Sequence, residues 1–368
     1  MMKAPHIILA AGGTGGHMMP AEAVAEILNE RGYQVSIITD KRGDAIENAF
    51  KGMEKTVLKA SSHMGGGLWG KVKSAISLAL SFLQVRSMFS KIRPTVVVGF
   101  GGYPSLPAVM AAKNLSIPYV LHEQNAVLGR VNRMMAKDAL FVALTFEETT
   151  KIPQGTKVIM TGNPVRRLIA KLANIAYAVP FGFGDIRLFV IGGSQGARIL
   201  SDVVPYALAT LSEENRGRVE VAHQARPEDI DRVRAVYNEA GIKAVVSSYF
   251  NDVGAVLLRT HLVISRSGAS TLAELMAMGR PAILVPLAIA ADDHQMMNAK
   301  IMADAGGAWL MKESEFTIEA LREKLEGMFE YTGGLRDGSD AMREIANLGA
   351  AEDLTTLIMH VCDGEELP

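Results

Sequence analysis

Ile7-Ile8-Leu9-Ala10-Ala11-Gly12-Gly13-Thr14-Gly15-Gly16-His17 and, in the second half of the chain, Leu188-Phe189-Val190-Ile191-Gly192-Gly193-Ser194-Gln195-Gly196-Ala197-Arg198 share one build: a short apolar run, a glycine-rich turn, then a helical pattern. A strand that ends in small residues lets the backbone N–H groups at the start of the next helix approach an anionic or polyhydroxylated ligand closely. The recurrence of this unit implies two α/β domains facing a shared cleft. Two such edges in one chain point to an enzyme with two substrates.

Working outward from the first turn, strand-like runs at 6–11, 34–39, 95–98, 118–121, 139–145 and 157–161 alternate with helical patterns. From the second turn the pattern restarts with runs at 186–191, 219–222, 244–246, 261–264 and 282–285. Continuous apolar strands separated by helices imply parallel sheets covered on both faces, with function beyond the carboxyl ends of the strands. The expected organisation is an N-terminal domain over 1–163, a C-terminal domain over 164–340, and a closing segment 341–368. The 340–361 stretch is helical by periodicity and is expected to cross back to the first domain.

Bulk composition agrees with two globular cores: 368 residues, 49% hydrophobic and 21% charged, exceed the usual size of a single core. The 38 Lys and Arg nearly cancel the 39 Asp and Glu, so no overall basic field calls for a nucleic-acid partner. The single cysteine, Cys362, excludes an internal disulfide framework and a cysteine-based zinc cluster. No run reaches the roughly 18 consecutive apolar residues of a membrane span, and the apolar run after His6 is short for a signal peptide. A cytoplasmic protein is expected.

The first turn invites a dinucleotide reading, with Asp40 placed as a ribose-binding acid. The G-x-G-x-x-G pattern started at Gly13 fails, because Met18 stands where its third glycine belongs. His17, at the tip of the turn, is a residue type suited to removing a proton from a hydroxyl; it reads equally as a capping or structural histidine. Gly101-Gly102-Tyr103-Pro104-Ser105 and His122-Glu123-Gln124-Asn125 also follow strands, which gathers Gly13, Tyr103, Ser105, His122 and Glu123 at one sheet edge. Ser105 is expected to cap the helix after it.

In the second half, Ser265-Arg266-Ser267-Gly268-Ala269-Ser270-Thr271-Leu272-Ala273-Glu274 repeats the small-residue turn after a strand. It and the 192–198 turn read as diphosphate cradles that need no metal. Glu274 either accepts the two hydroxyls of a ribose or closes a capping box with Ser270 or Thr271. In Asp292-Asp293-His294-Gln295 the acids serve the helix dipole, and the Gln295 amide is expected to hold sugar hydroxyls. Neither a metal nor a cofactor is expected.

In this order and over almost the whole chain, these motifs resemble the MurG family, bacterial N-acetylglucosaminyltransferases of peptidoglycan synthesis. The resemblance implies the glycosyltransferase-B fold, UDP-N-acetylglucosamine as donor and undecaprenyl-linked lipid I as acceptor, with lipid II as product. It puts Thr14, Gly15, Gly16 and Asn125 near the donor sugar and diphosphate. It puts Arg166, Ser194, the backbone of Phe250, the turn Ala269, Ser270, Thr271, Leu272, Ala273 and Glu274, and Gln295 on the donor. His17 becomes the expected base of an inverting displacement. The stretch His223-Gln224-Ala225-Arg226 departs from the family in lacking a glycine two residues after its glutamine.

The 68–93 segment has Val72, Ile76, Ala79 and Leu83 on one helical stripe, Trp69 near its start, and Lys71 and Lys73 beside it. From its residues alone it packs on the sheet or lies on an anionic bilayer. A lipid-linked acceptor favours the second: contact through Trp69, Lys71, Val72, Lys73, Ile76 and Leu83, at the cytoplasmic face of the cell membrane. The rival readings are a UDP-N-acetylglucosamine 2-epimerase on the same fold and a non-catalytic nucleotide-sugar-binding scaffold.

Overall fold

The computed structural model describes residues 5–13, 15–46, 49–58, 68–180, 184–193 and 196–367. The chain divides into two compact units, 1–166 together with 347–368, and 167–346. Against the sequence expectation the boundaries move from 163 to 166 and from 340 to 346. Arg166 is therefore the last residue of the first unit, because the next helix, Arg167–Leu172, buries Ile169 in the second.

The first unit holds a parallel sheet of β1 (His6–Ala10), β2 (Gln34–Asp40), β3 (Glu54–Leu58), β4 (Val96–Gly99), β5 (Tyr119–Glu123), β6 (Val142–Leu144) and β7 (Val158–Met160), in lateral order β3-β2-β1-β4-β5-β6-β7. Side chains alternate across it. Ile7 and Leu9 pack with Val24, Leu28 and Phe50 on one face, and Ile8 and Ala10 pack with Val85, Phe89 and Val109 on the other. The second unit holds β8 (Ile186–Ile191), β9 (Val219–Gln224), β10 (Lys243–Ser247), β11 (Leu262–Ser265), β12 (Ala282–Leu284) and β13 (Ala308–Leu310), ordered β10-β9-β8-β11-β12-β13 and parallel throughout. Its core joins Ile186, Leu188 and Val190 to Leu200, Val204, Tyr237 and Phe329.

Two strands escape the apolar-run reading. β3 opens with the polar Glu54-Lys55-Thr56 and β13 is only three residues long; both are edge strands. In each sheet the strand order reverses once, between β1 and β4 and between β8 and β11. Open α/β sheets bind ligands at such switch points, beyond the strands' carboxyl ends.

The 340–361 stretch is two helices, not one: Gly333–Glu344 in the second unit and Ala350–Asp363 in the first. Asn347 makes the break. Its Oδ1 accepts the Gly349 N–H (2.9 Å), and its Nδ2 donates to Thr161 O (2.8 Å) and Asp353 Oδ2 (3.0 Å). The final helix then places Leu354 and Ile358 in the core beside Val24 and Leu28, and an Arg31–Glu352 ion pair ties it to the end of the Gly15–Glu30 helix.

The helix Leu68–Ile92 keeps both readings, on different faces. Val85 and Phe89 are buried against the sheet, while Trp69 (80% exposed), Val72, Ile76, Leu80 (62%) and Leu83 form an outward apolar stripe. Lys71 and Lys73 are exposed beside it. No helix among the described residues is long and apolar enough to cross a membrane.

Candidate active site

At the switch point of the first unit two glycine turns pack against each other. Gly102 has φ +76°, and a Cβ there would stand 2.7 Å from the Gly12 carbonyl oxygen, so only glycine allows this approach. Asp40 holds the first turn from beneath. Its Oδ1 accepts the N–H groups of Gly13 (3.0 Å) and Gly43 (2.9 Å), and Arg42 lies 3.5 Å from its Oδ2. A buried carboxylate engaged in this way is a turn anchor and leaves no room for the ribose reading.

His17, half-buried in the first turn of its helix, sits over Gly101 and Gly102. Its Nδ1 lies 3.0 Å from Gln124 Oε1. Gln124 is buried and donates from Nε2 to Phe100 O (2.9 Å) and to His122 Nδ1 (2.9 Å), while His122 Nε2 donates to Gly162 O (3.0 Å). His122, expected at the acceptor edge, is thus fully buried and reaches that edge only through Gln124.

Glu123 is buried too, with both oxygens occupied. Oε1 accepts the backbone and side-chain N–H of Asn125 (both 3.1 Å), and Oε2 accepts the Gly129 N–H (2.8 Å) and Asn132 Nδ2 (2.9 Å). It aims Asn125 and shapes the loop after β5. Ser105 is a second correction: Pro104 occupies the cap position, and the buried Ser105 hydroxyl donates back to Gly102 O (2.9 Å). The Tyr103 hydroxyl donates to Ser74 O (3.2 Å), tying this edge to the Leu68–Ile92 helix.

Burial pushes the His122 pKa down to about 4, with the Gly162 carbonyl opposing and His17 adding to the shift. Burial likewise lowers His223 to about 3 and His261 to about 4. In the unfolded chain a histidine binds its proton near pH 6.5, whereas these folded sites refuse it until near pH 4. Between those values the unfolded state carries more protons, so stability falls as pH falls from 6.5 toward 4, with His122 alone contributing about 3 kcal/mol. Urea denaturation midpoints across this range measure the decline; a flat profile would contradict it.

At the switch point of the second unit the β8 turn is closed by Gly192, where a Cβ would strike the Ala197 backbone nitrogen. Gln224 pins this turn: its Oε1 accepts the Gly192 N–H (3.1 Å) and its Nε2 donates to Ser248 O (3.3 Å). After β11, Gly268 is the N-cap of the Ala269–Met278 helix, a position from which a glycine offers no side-chain hydrogen bond. Because Ala269 is the first helical residue, Ser270 and Thr271 lie inside the first turn and the capping-box reading of Glu274 fails. Glu274 is buried one turn further along, and the Leu272 and Ala273 side chains are buried beside it.

Two loops beyond β11 and β12 are stapled by Arg266, which donates from Nη1 to Val285 O (3.1 Å), Pro286 O (3.2 Å) and Glu313 Oε2 (3.0 Å). Burial tends to raise the Glu313 pKa, but the Arg266 hydrogen bond, the Ala288 N–H and the Arg266 charge hold it below the usual range. Ser267 donates to Gln295 O (2.7 Å), and Gln295 Oε1 accepts the Leu287 N–H (3.0 Å). The Leu287 bond takes one lone pair of that oxygen and fixes the direction in which the Gln295 amide points. Asp292 and Asp293 both adopt left-handed backbone, φ 55° and 59°, and Asp293 makes no side-chain cap. The Phe250 ring packs edge-on against Phe189, centroids 5.4 Å apart. Thr14 and Ser194 lie outside the described residues.

Sequence reasoning passed over Gln124, Gln224 and Arg266, each a buried polar residue joining two loops. The only linear signal was polarity directly after a strand, at the β5 and β11 ends and at the end of β9.

Residues 7–144 match the glycosyltransferase family 28 N-terminal domain, and residues 187–344 match its C-terminal domain. A curated relative from Paramagnetospirillum magneticum, named UDP-N-acetylglucosamine–N-acetylmuramyl-(pentapeptide) pyrophosphoryl-undecaprenol N-acetylglucosamine transferase, is 46% identical over 363 residues, covering 98% of each chain. The crystal structure of Acinetobacter baumannii MurG superposes with a TM-score of 0.77 at 27% identity, covering 96% of this chain and 99% of that one. A putative UDP-N-acetylglucosamine 2-epimerase from Listeria monocytogenes reaches 0.70 at 14% identity over 99% and 98%, a likeness of fold alone. With two parallel-sheet α/β domains of the glycosyltransferase-B type, the chain belongs to the MurG group of family 28 hexosyltransferases.

Proposed function

We propose that this enzyme moves N-acetylglucosamine from UDP-N-acetylglucosamine to the C4 hydroxyl of the muramyl sugar of lipid I, giving lipid II. The observation that carries the reading is identity of 46% along 98% of a transferase named for that reaction. Inversion by one in-line displacement needs a base for the acceptor hydroxyl and positive potential for the departing UDP. His17 is the base. The helix start at Ala269 and the N–H of Gly193, next to the Gly192 that Gln224 pins, supply donors to the diphosphate. Each such donor is worth about 2.7–4 kcal/mol in comparable anion-stabilising sites. Glu274 takes the ribose hydroxyls, and Arg166, Asn125 and Gln295 complete the donor contacts.

The test is transfer of labelled N-acetylglucosamine to a lipid I analogue. Product formation supports the reading. Conversion of UDP-N-acetylglucosamine alone to its manno epimer, with no transfer, would overturn it.

The acceptor's lipid brings the enzyme to the cytoplasmic face of the cell membrane, through the outward stripe of the Leu68–Ile92 helix and Lys71 and Lys73. Support comes from the continuity of that apolar stripe and the lysines flanking it. Replacing Trp69, Ile76 and Leu83 together by serine is expected to abolish sedimentation with anionic vesicles while the fold, read by circular dichroism, is kept. Unchanged sedimentation would refute the contact.

A further inference from the structure

We propose that Gln124, anchored by His122, is a positioning residue that fixes the tautomer and the aim of His17; the proposal rests on the reading of His17 as the base. The argument starts at Gly162 O, which can only accept. The hydrogen in its 3.0 Å bond to His122 therefore belongs to Nε2. A neutral imidazole protonated at Nε2 presents a lone pair at Nδ1, and Gln124 Nε2 donates to it at 2.9 Å.

The second hydrogen of the same NH2 goes to Phe100 O at 2.9 Å. A flipped amide would set its oxygen against a carbonyl oxygen and a lone pair, so the orientation of Gln124 is determined from two sides. Its Oε1 faces His17 and can only accept. His17 must then carry its hydrogen on Nδ1, and its lone pair lies on Nε2, the nitrogen available to a hydroxyl.

Three features make this chain of bonds rigid. Gln124 and His122 are 1% and 0% exposed, so water does not exchange with their partners. The anchors Gly162 and Phe100 are backbone carbonyls just after β7 and β4. The His17 ring rests on the glycine pair, where a Cβ at Gly101 or Gly102 would come within 3.2 Å of it.

Two measurements test the proposal. In the unaltered enzyme labelled with 15N-histidine, NMR correlation through the ring is expected to show His17 as the Nδ1–H tautomer; an Nε2–H signal would overturn the proposal without any variant. Gln124→Leu is expected to lose that bias and to lower kcat about 10²-fold with donor KM unchanged. His17→Ala/Gln124→Leu should be no slower than His17→Ala, within about twofold, because the two act as one unit. A Gln124→Leu enzyme at full rate, or additive losses in the double variant, would refute the positioning role. A His17→Ala enzyme at full rate would instead refute the base itself, a failure the tautomer measurement keeps separate.

Discussion

Replacing His17 with alanine is expected to lower kcat by about 10²–10⁴-fold, the range in which a positioned general base acts, while UDP affinity stays within about twofold. The asymmetry follows from where His17 sits. It belongs to the switch point of the first unit, over Gly101 and Gly102, whereas the proposed diphosphate contacts at Gly193 and Ala269 belong to the second. Steady-state transfer and UDP calorimetry measure the two quantities. Loss of UDP binding would mean that His17 shapes the donor site, and undiminished transfer would end its candidacy as base. A non-catalytic scaffold has no transfer rate to lose, so the same experiment separates enzyme from binding protein.

Glu123→Gln is expected to destabilise the protein by about 2–4 kcal/mol, although it is isosteric. Each carboxylate oxygen accepts two N–H donors, from Asn125 on one side and from Gly129 and Asn132 on the other. An amide can satisfy one pair only, and its NH2 then points at donors. Urea denaturation measures the loss. Activity should fall with it, through the displaced Asn125, without a change in the pH dependence of kcat. A stable Glu123→Gln enzyme with an altered pH profile would contradict the anchoring role and make Glu123 a candidate base.

The end of β5 shows how linear reading divides. His122, Glu123 and Gln124 stand in one polar triplet at the end of β5, and their residue types alone make each a candidate for chemistry. Burial decides otherwise. Two of them face into the molecule and spend their hydrogen bonds on backbone and side-chain partners, and the third links the buried histidine to the one that is half exposed. Strand geometry sends adjacent side chains to opposite faces, but which face carries a loop, a glycine pair or a carbonyl depends on elements distant in the chain. Ser105 leaves its expected capping position to Pro104, and Asp40 takes an anchoring role that its motif does not announce. The Asp40 partner, Gly13, comes from another loop, while the Ser105 hydroxyl turns back on Gly102 within its own turn.

The sequence by itself determined the parallel α/β character, the duplication, and the turns that form the candidate site. These depend on local patterns: apolar runs long enough for buried strands, glycines where backbone must approach backbone, and helical periodicity after them. Its motifs, taken as a set, also placed the chain among the MurG transferases, which the relatives along its full length bear out. Only the tertiary structure decided which polar residues of those turns remain for a substrate. It took Asp40, Glu123 and Ser105 into anchoring bonds, split the final helical stretch at Asn347, and joined Gly162, His122 and Gln124 into the support of His17. A buried hydrogen-bond network is closed by partners far apart in sequence, and no local pattern records which of them will meet.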